Sequence, residues 1–197
     1  MTAVAEWSGE WVDGLGVALN EATLTDVVVD VPARTVRVTL RVLTLPEGGP
    51  ASEDFPVVLT LSPVGRIAAS LRHGLWNDAT AAVEPFPIEE LSEVVRGLGG
   101  CEIYGGKFFD CGDEGFDTWA GRLSLDWHAS EEDGRAHTLD LFQEGFEEEK
   151  NLHLDLRIGF DEMRLHTPTG TAIPVEEFIA DGKRWWEAFF RNNGARM

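Results

Sequence analysis

The chain has 197 residues, 35 of them acidic and 16 basic, for a formal net charge of −19. Such a field repels phosphate backbones and anionic lipid, so nucleic acid and membrane surfaces are excluded as natural partners and a basic protein surface is favoured. A hydrophobic content of 43% with seven tryptophans excludes a disordered chain and supplies one ordinary core, read as a single domain over residues 1–197.

The first residues, Met-Thr-Ala-Val-Ala-Glu-Trp, have no basic n-region and no apolar h-region, and no apolar run approaches ~18 residues. A cytoplasmic protein is expected. The run "TLTDVVVDV" and the alternating "RTVRVTLRVL" (34–43) predict a hairpin across Pro32-Ala33, with Val36, Val38, Leu40 and Val42 on one face and Arg37, Thr39 and Arg41 on the other. Residues 45–56, rich in proline and glycine, predict a loop. "VVLTL" (57–61) and "RIAASLR" (66–72) predict a second pair turning at Pro63-Val64-Gly65.

A helix is predicted from Pro87, whose missing N–H costs nothing at a first helical position, with Glu89 and Glu90 complementing the positive helix end. Ile88, Leu91, Val94, Val95 and Leu98 follow at helical spacing, and Gly97, Gly99 and Gly100 end the run. Next, "YGGKFFD" predicts a hairpin at Gly105-Gly106, placing Tyr104 opposite Lys107 and Cys111 out of register with Cys101, so two reduced thiols are expected. "GRLSLDWH" (121–128), "HTLDLF" (137–142) and "NLHLDLRI" (151–158) read as strands, "QEGFEEEK" as a charged loop or bulge, and "EMRLH" as a shorter strand. A second helix begins at Pro174 and carries an apolar stripe of Val175, Phe178, Ile179, one of Trp185 and Trp186 facing the core, Phe189 and Phe190. Within it, Gly182 marks either a kink or a close approach to the sheet.

"FPIEEL" (86–91) returns as "IPVEEF" (173–178), and flanking landmarks recur 80 to 87 residues apart in the same order. Two degenerate ββββα repeats, 12–98 and 99–192, account for this; so does the ordinary chemistry of helix starts and strands. Either origin predicts an α+β fold, an antiparallel sheet of about eight strands with two helices on its apolar face and a polar far face. A closed barrel with helices plugging its ends is the second choice.

Four groups are candidates for chemistry. Ser124, Asp126, His128, His153 and Asp155 share the polar face and are the residue types of a Ser-His-Asp or His-carboxylate arrangement, although no Gly-x-Ser-x-Gly motif accompanies them. Solvated cross-strand ion pairs explain them equally. Asp110, Asp113, Glu114 and Asp117 share a glycine-rich loop of oxygen ligands without the EF-hand order. His137, His153 and Asp155 are candidate zinc ligands on neighbouring strands. Phe146 with Glu147, Glu148 and Glu149 is a candidate docking loop for a basic partner, and Trp186, set about 100° from Trp185, is a candidate edge or dimer contact. No cofactor is implied, since P-loop, Rossmann, HExxH and CxxC motifs are missing.

Leu91, Trp119, Gly121, Arg122 and Gly182 carry a pattern, a short helix before a "W-x-G-R" strand and a terminal helix with a central glycine. In this the last 110 or so residues resemble small actinobacterial proteins of unknown function. The resemblance rests on structural positions and implies no activity. The expectation is a non-enzymatic protein-binding or accessory factor, with a small hydrolase or metal-dependent enzyme second and a small-ligand binder using a groove between the helices third.

Overall fold

The computed structural model describes residues 7, 9–74, 78, 80–100, 103, 107–109, 121–130, 135–147 and 150–194. Helix α1 (Gly9–Ala18) comes first, then β1 (Thr23–Asp30), β2 (Thr35–Thr44), β3 (Ser52–His73) and β4 (Ala82–Val83). A 3-10 turn (Ile88–Glu90) leads into α2 (Leu91–Gly97). The rest is β5 (Lys107–Phe109), β6 (Leu125–His128), β7 (His137–Glu147), β8 (Lys150–His166), β9 (Ala172–Ile173) and α3 (Val175–Gly194). All paired strands are antiparallel in one open sheet, ordered β1-β2-β3-β8-β7-β5, with β4 and β6 on β3 and β9 on β8. This is the expected α+β architecture with a third helix added.

The alternation sorts the faces as expected. Val36, Val38, Leu40, Leu125, Leu154 and Leu156 are buried in one contiguous core with Leu15, Ala18, Leu91, Val95, Phe178 and Ile179 of the helices. Arg37, Arg41, Asp126 and His128 lie exposed on the far side. Each fully buried Leu or Val contributes about 1.5–3 kcal/mol through removal of apolar surface from water.

Two long strands replace four short ones. The predicted turn at Pro63-Val64-Gly65 is not a turn: β3 runs on, with an irregularity between Val64 and Ile67, because β8 pairs with it from Val58 to His73. The same ladder absorbs "EMRLH" into β8. β2 flanks the first half of β3, while β6 and β4 flank the second, so the outer strands change partway along a continuous central pair.

Ile103 and Lys107 both pair with β7, opposite Gln143 and Asp140; the predicted turn at Gly105-Gly106, with Cys101, Tyr104 and Cys111, lies outside the described residues. Two other expectations are corrected. "QEGFEEEK" is mostly strand: β7 continues to Glu147, which pairs with Lys150. Gln143 and Gly145 drive this, Gln143 by donating to the Leu24 carbonyl at 3.4 Å and Gly145 by making room for Leu98. Ser52 already belongs to β3, which shortens the loop after β2.

Helix α1 went unpredicted because Gly9, Gly14 and Gly16 weigh against a helix. Gly14 and Gly182 explain its place. A Cβ on Gly182 would lie 2.6 Å from the Cα of Ala18, and one on Gly14 would lie 2.7 Å from Cγ2 of Ile179. The close approach expected of Gly182 is therefore real, but its partner is α1 and not the sheet. α3 is also tied to the end of β2: Leu45 N–H donates to the Asp181 carbonyl at 3.1 Å and Arg184 Nε to the Leu45 carbonyl at 2.9 Å.

Candidate functional site: the polar sheet face and the end of the last helix

The polar face is built by register. Asp126, Ala68, Arg157 and Asp140 form one row across β6, β3, β8 and β7; Ser70, Asp155 and Phe142 form the next; Arg72, His153 and Glu144 form a third. Opposite charges on neighbouring strands close on one another. Arg66 forks onto Asp126 at 2.8 and 3.0 Å, Arg157 forks onto Asp140, and Arg72 reaches Asp155. The last two pairs are half-buried, with side-chain exposures of 13% for Arg157 and 15% for Arg72, so they are fixed features and not solvated surface charges, whereas Asp126 stays exposed.

Burial pushes the Asp155 carboxyl above its ordinary 3.8, and the Arg72 charge acts against that rise. His153 is buried, with Nε2 at 2.7 Å from the Gly74 carbonyl, which makes Nε2 the protonated nitrogen; its ring stacks on Phe142 at 5.9 Å. Ser70 Oγ, Arg72 Nε and His153 Nδ1 are buried without a hydrogen bond, although Glu144 Oε1 lies 3.5 Å from the last.

The five catalytic candidates do not gather at one point. Ser124 Oγ is occupied by the backbone of β3, accepting from Leu71 N–H at 2.7 Å and donating to Leu71 C=O at 3.3 Å. From there to His128 is about 13 Å of extended chain. His128 Nε2 lies 3.0 Å from Asp126 Oδ1, whose carboxylate the Arg66 fork already holds. The β3 partners of His128 and His153 are Arg66 and Arg72, which puts about 20 Å of strand between the two imidazoles. His137 lies further off, buried and stacked on Trp7 at 4.2 Å, beside Phe160. It is about 23 Å along β8 from the level of His153, too far to share a metal.

Asp110, Asp113, Glu114 and Asp117 lie outside the described residues, as do Glu148 and Glu149. Among the described residues no group of three or more His, Cys, Asp or Glu is placed to hold a metal ion. Of the expected docking loop, Phe146 and Glu147 are strand residues opposite Asn151 and Lys150.

The last two turns of α3 are built differently. Trp185 stacks on Phe189 at 5.3 Å and meets Trp186 edge-on at 4.9 Å. Both tryptophans are half-buried, so neither is the purely core-facing member of the pair, and Trp186 Nε1 is buried with no acceptor. Phe189 is 42% exposed and Phe190 63%, where the sequence stripe placed both against the core. The stripe runs past the sheet because α1 and β2 support only the earlier turns, through Ile179, Gly182 and Arg184.

The fold and these two regions define a two-layer α+β protein with a self-paired ionic face and an aromatic helix end. Compared with family models, curated proteins and solved structures, the chain matches none. No helix among the described residues is long and apolar enough to cross a membrane.

Proposed function

We propose that this chain is a cytoplasmic, non-enzymatic binding or accessory factor that engages a basic protein through its acidic surface, with the end of α3 as apolar anchor. The exposed pair Phe189 and Phe190, beside two half-buried tryptophans on a molecule of charge −19, carries the reading. Aromatic side chains bring large contact area at low entropic cost, and surrounding charge steers a basic partner toward them. The catalytic candidates support it from the other side, since Ser124 is held by backbone and Asp126 and Asp155 are held by arginines.

The test is capture of a basic partner on the immobilised chain. Phe190→Glu should lose at least tenfold in affinity while folding normally, and capture should weaken as salt rises. Capture unaffected by both changes would remove the proposal. The contact between His128 and Asp126 favours a second reading, a small hydrolase working at the rim of the polar face. Ester hydrolysis abolished by His128→Ala and by Asp126→Asn would put that reading first.

A further inference from the structure

Strand β1 is an edge of the sheet, with β2 its one strand neighbour among the described residues. The hairpin closes with Arg34 N–H donating to the Val31 carbonyl at 3.1 Å. The Arg34 carbonyl turns the other way and accepts from Val64 N–H of β3 at 2.8 Å, so Thr35 and, two residues on each time, Arg37 and Thr39 face β1, where the Thr39 carbonyl accepts from Thr25 Oγ1 at 3.0 Å. Asp30 and Val28 therefore exchange hydrogen bonds with Thr35 and Arg37, and the N–H and C=O of Val27 and Val29 point away from the sheet. Helix α2 covers the beginning of β1, where Ser92 Oγ donates to Asp26 at 2.6 Å, but past Asp26 the outer backbone has no partner among the described residues. Beside this bare stretch runs an open groove of about 740 Å³, lined by Val28, Asp30, Val31, Pro32 and Arg37 together with Glu89.

An unpaired edge of this sequence, "VVVDV", is a template for another strand. Val31 is 40% exposed and Val28 half-buried, which leaves aliphatic footing for alternate side chains of an added strand. The charges select the occupant. Asp30 and Glu89 flank the groove against the single cation Arg37, and the whole chain carries −19. A second copy would set −19 against −19 and is disfavoured; a strand bearing lysine or arginine is drawn in.

We infer that the outer edge of β1 from Val27 to Val31 is a strand-addition site for an extended segment of a partner protein in which aliphatic and basic residues alternate. This rests on the reading of the chain as a partner-binding protein, and it adds a surface separate from the end of α3.

The experiment is amide hydrogen exchange by NMR on the full chain, with an acetylated octapeptide of alternating lysine and valine at millimolar concentration, the range for a short unstructured ligand. Exchange at Val27 and Val29 should slow about tenfold or more, the sign of new backbone hydrogen bonds. The glutamate–valine counterpart and a backbone N-methylated lysine–valine peptide should leave both amides unchanged. Val29→Pro removes an outward N–H and should weaken the effect. Because that variant risks disturbing the hairpin, Asp30→Lys with Glu89→Lys serves as the second: it keeps the backbone and should exchange preference toward the acidic peptide. No slowing at either amide overturns the inference, as does equal slowing by both peptides. Slowing that appears without peptide and grows with protein concentration also overturns it, naming a second copy as the occupant. Phe190→Glu should leave this exchange unchanged, so a silent β1 beside salt-sensitive capture at α3 ends the edge inference and leaves the accessory reading intact.

Discussion

The polar face of the sheet and the end of α3 are both surface, yet they treat their side chains in opposite ways. On the face, the reactive residue types are consumed by one another: Arg157 by Asp140, Arg66 by Asp126, Ser124 by the backbone of Leu71. At the end of α3 the rings touch each other and then water, with Phe190 the most exposed large apolar side chain described. The difference teaches that residue type is a poor guide to function on an antiparallel sheet. Cross-strand neighbours about 5 Å apart satisfy each other before any ligand arrives, whereas a helix that outruns its support cannot satisfy its own stripe.

Changes on the face should therefore be costly to the fold and changes at the helix end should not. The largest effect is expected from Arg157→Leu, which takes the fork from the half-buried Asp140 and should cost about 3 kcal/mol in denaturant unfolding. Gly182→Ala sharpens the contrast within α3 itself. In an exposed helix that change stabilises by about 1 kcal/mol, but here the new methyl meets the Ala18 backbone, and a loss of about 2 kcal/mol is expected. A gain would mean that α1 and α3 are not in close contact.

Acidity probes the same contrast. Because burial raises the Asp155 carboxyl above 3.8, the fold binds its proton more tightly than the unfolded chain does. The stability this contributes is complete below 3.8 and is lost as pH rises through the folded-state value. Arg72→Met removes the charge that opposes the rise, so the carboxyl resonance of Asp155 in a ¹³C NMR titration should move to higher pH. An unmoved titration would detach Arg72 from Asp155. The smallest stability effect belongs to Phe190→Glu, within about 0.5 kcal/mol of the parent, as for a surface site.

Much of this was legible in the residues. Alternation in "RTVRVTLRVL" and "NLHLDLRI" placed the core face, and proline followed by two glutamates marked the start of α3 and, before α2, the 3-10 turn Ile88–Glu90 that leads into it. Missing were features whose cause lies in another part of the chain. α1 is rich in glycine for the sake of α3, 160 or so residues later, and β3 passes straight through Pro63 because β8 lies beside it. Of the site, the polar face was readable as a set of residues but not as pairs, since register decides which arginine meets which aspartate. The bare end of α3 was hidden because periodicity reports a stripe without saying how much of it is covered. The open edge of β1 left no mark in local pattern, as strand order follows from the whole topology.

The most direct measurement is partner capture on the immobilised chain at about 0.05 and 0.5 M salt, where screening lengths differ roughly threefold. The parent, Phe190→Glu and the doubly changed Asp126→Asn, His128→Ala protein would be compared side by side. The account predicts one basic partner held by the parent and by the double variant at low salt, released at high salt, and lost with Phe190→Glu. A partner lost with the double variant and kept by Phe190→Glu would place the working surface on the polar face and contradict the account.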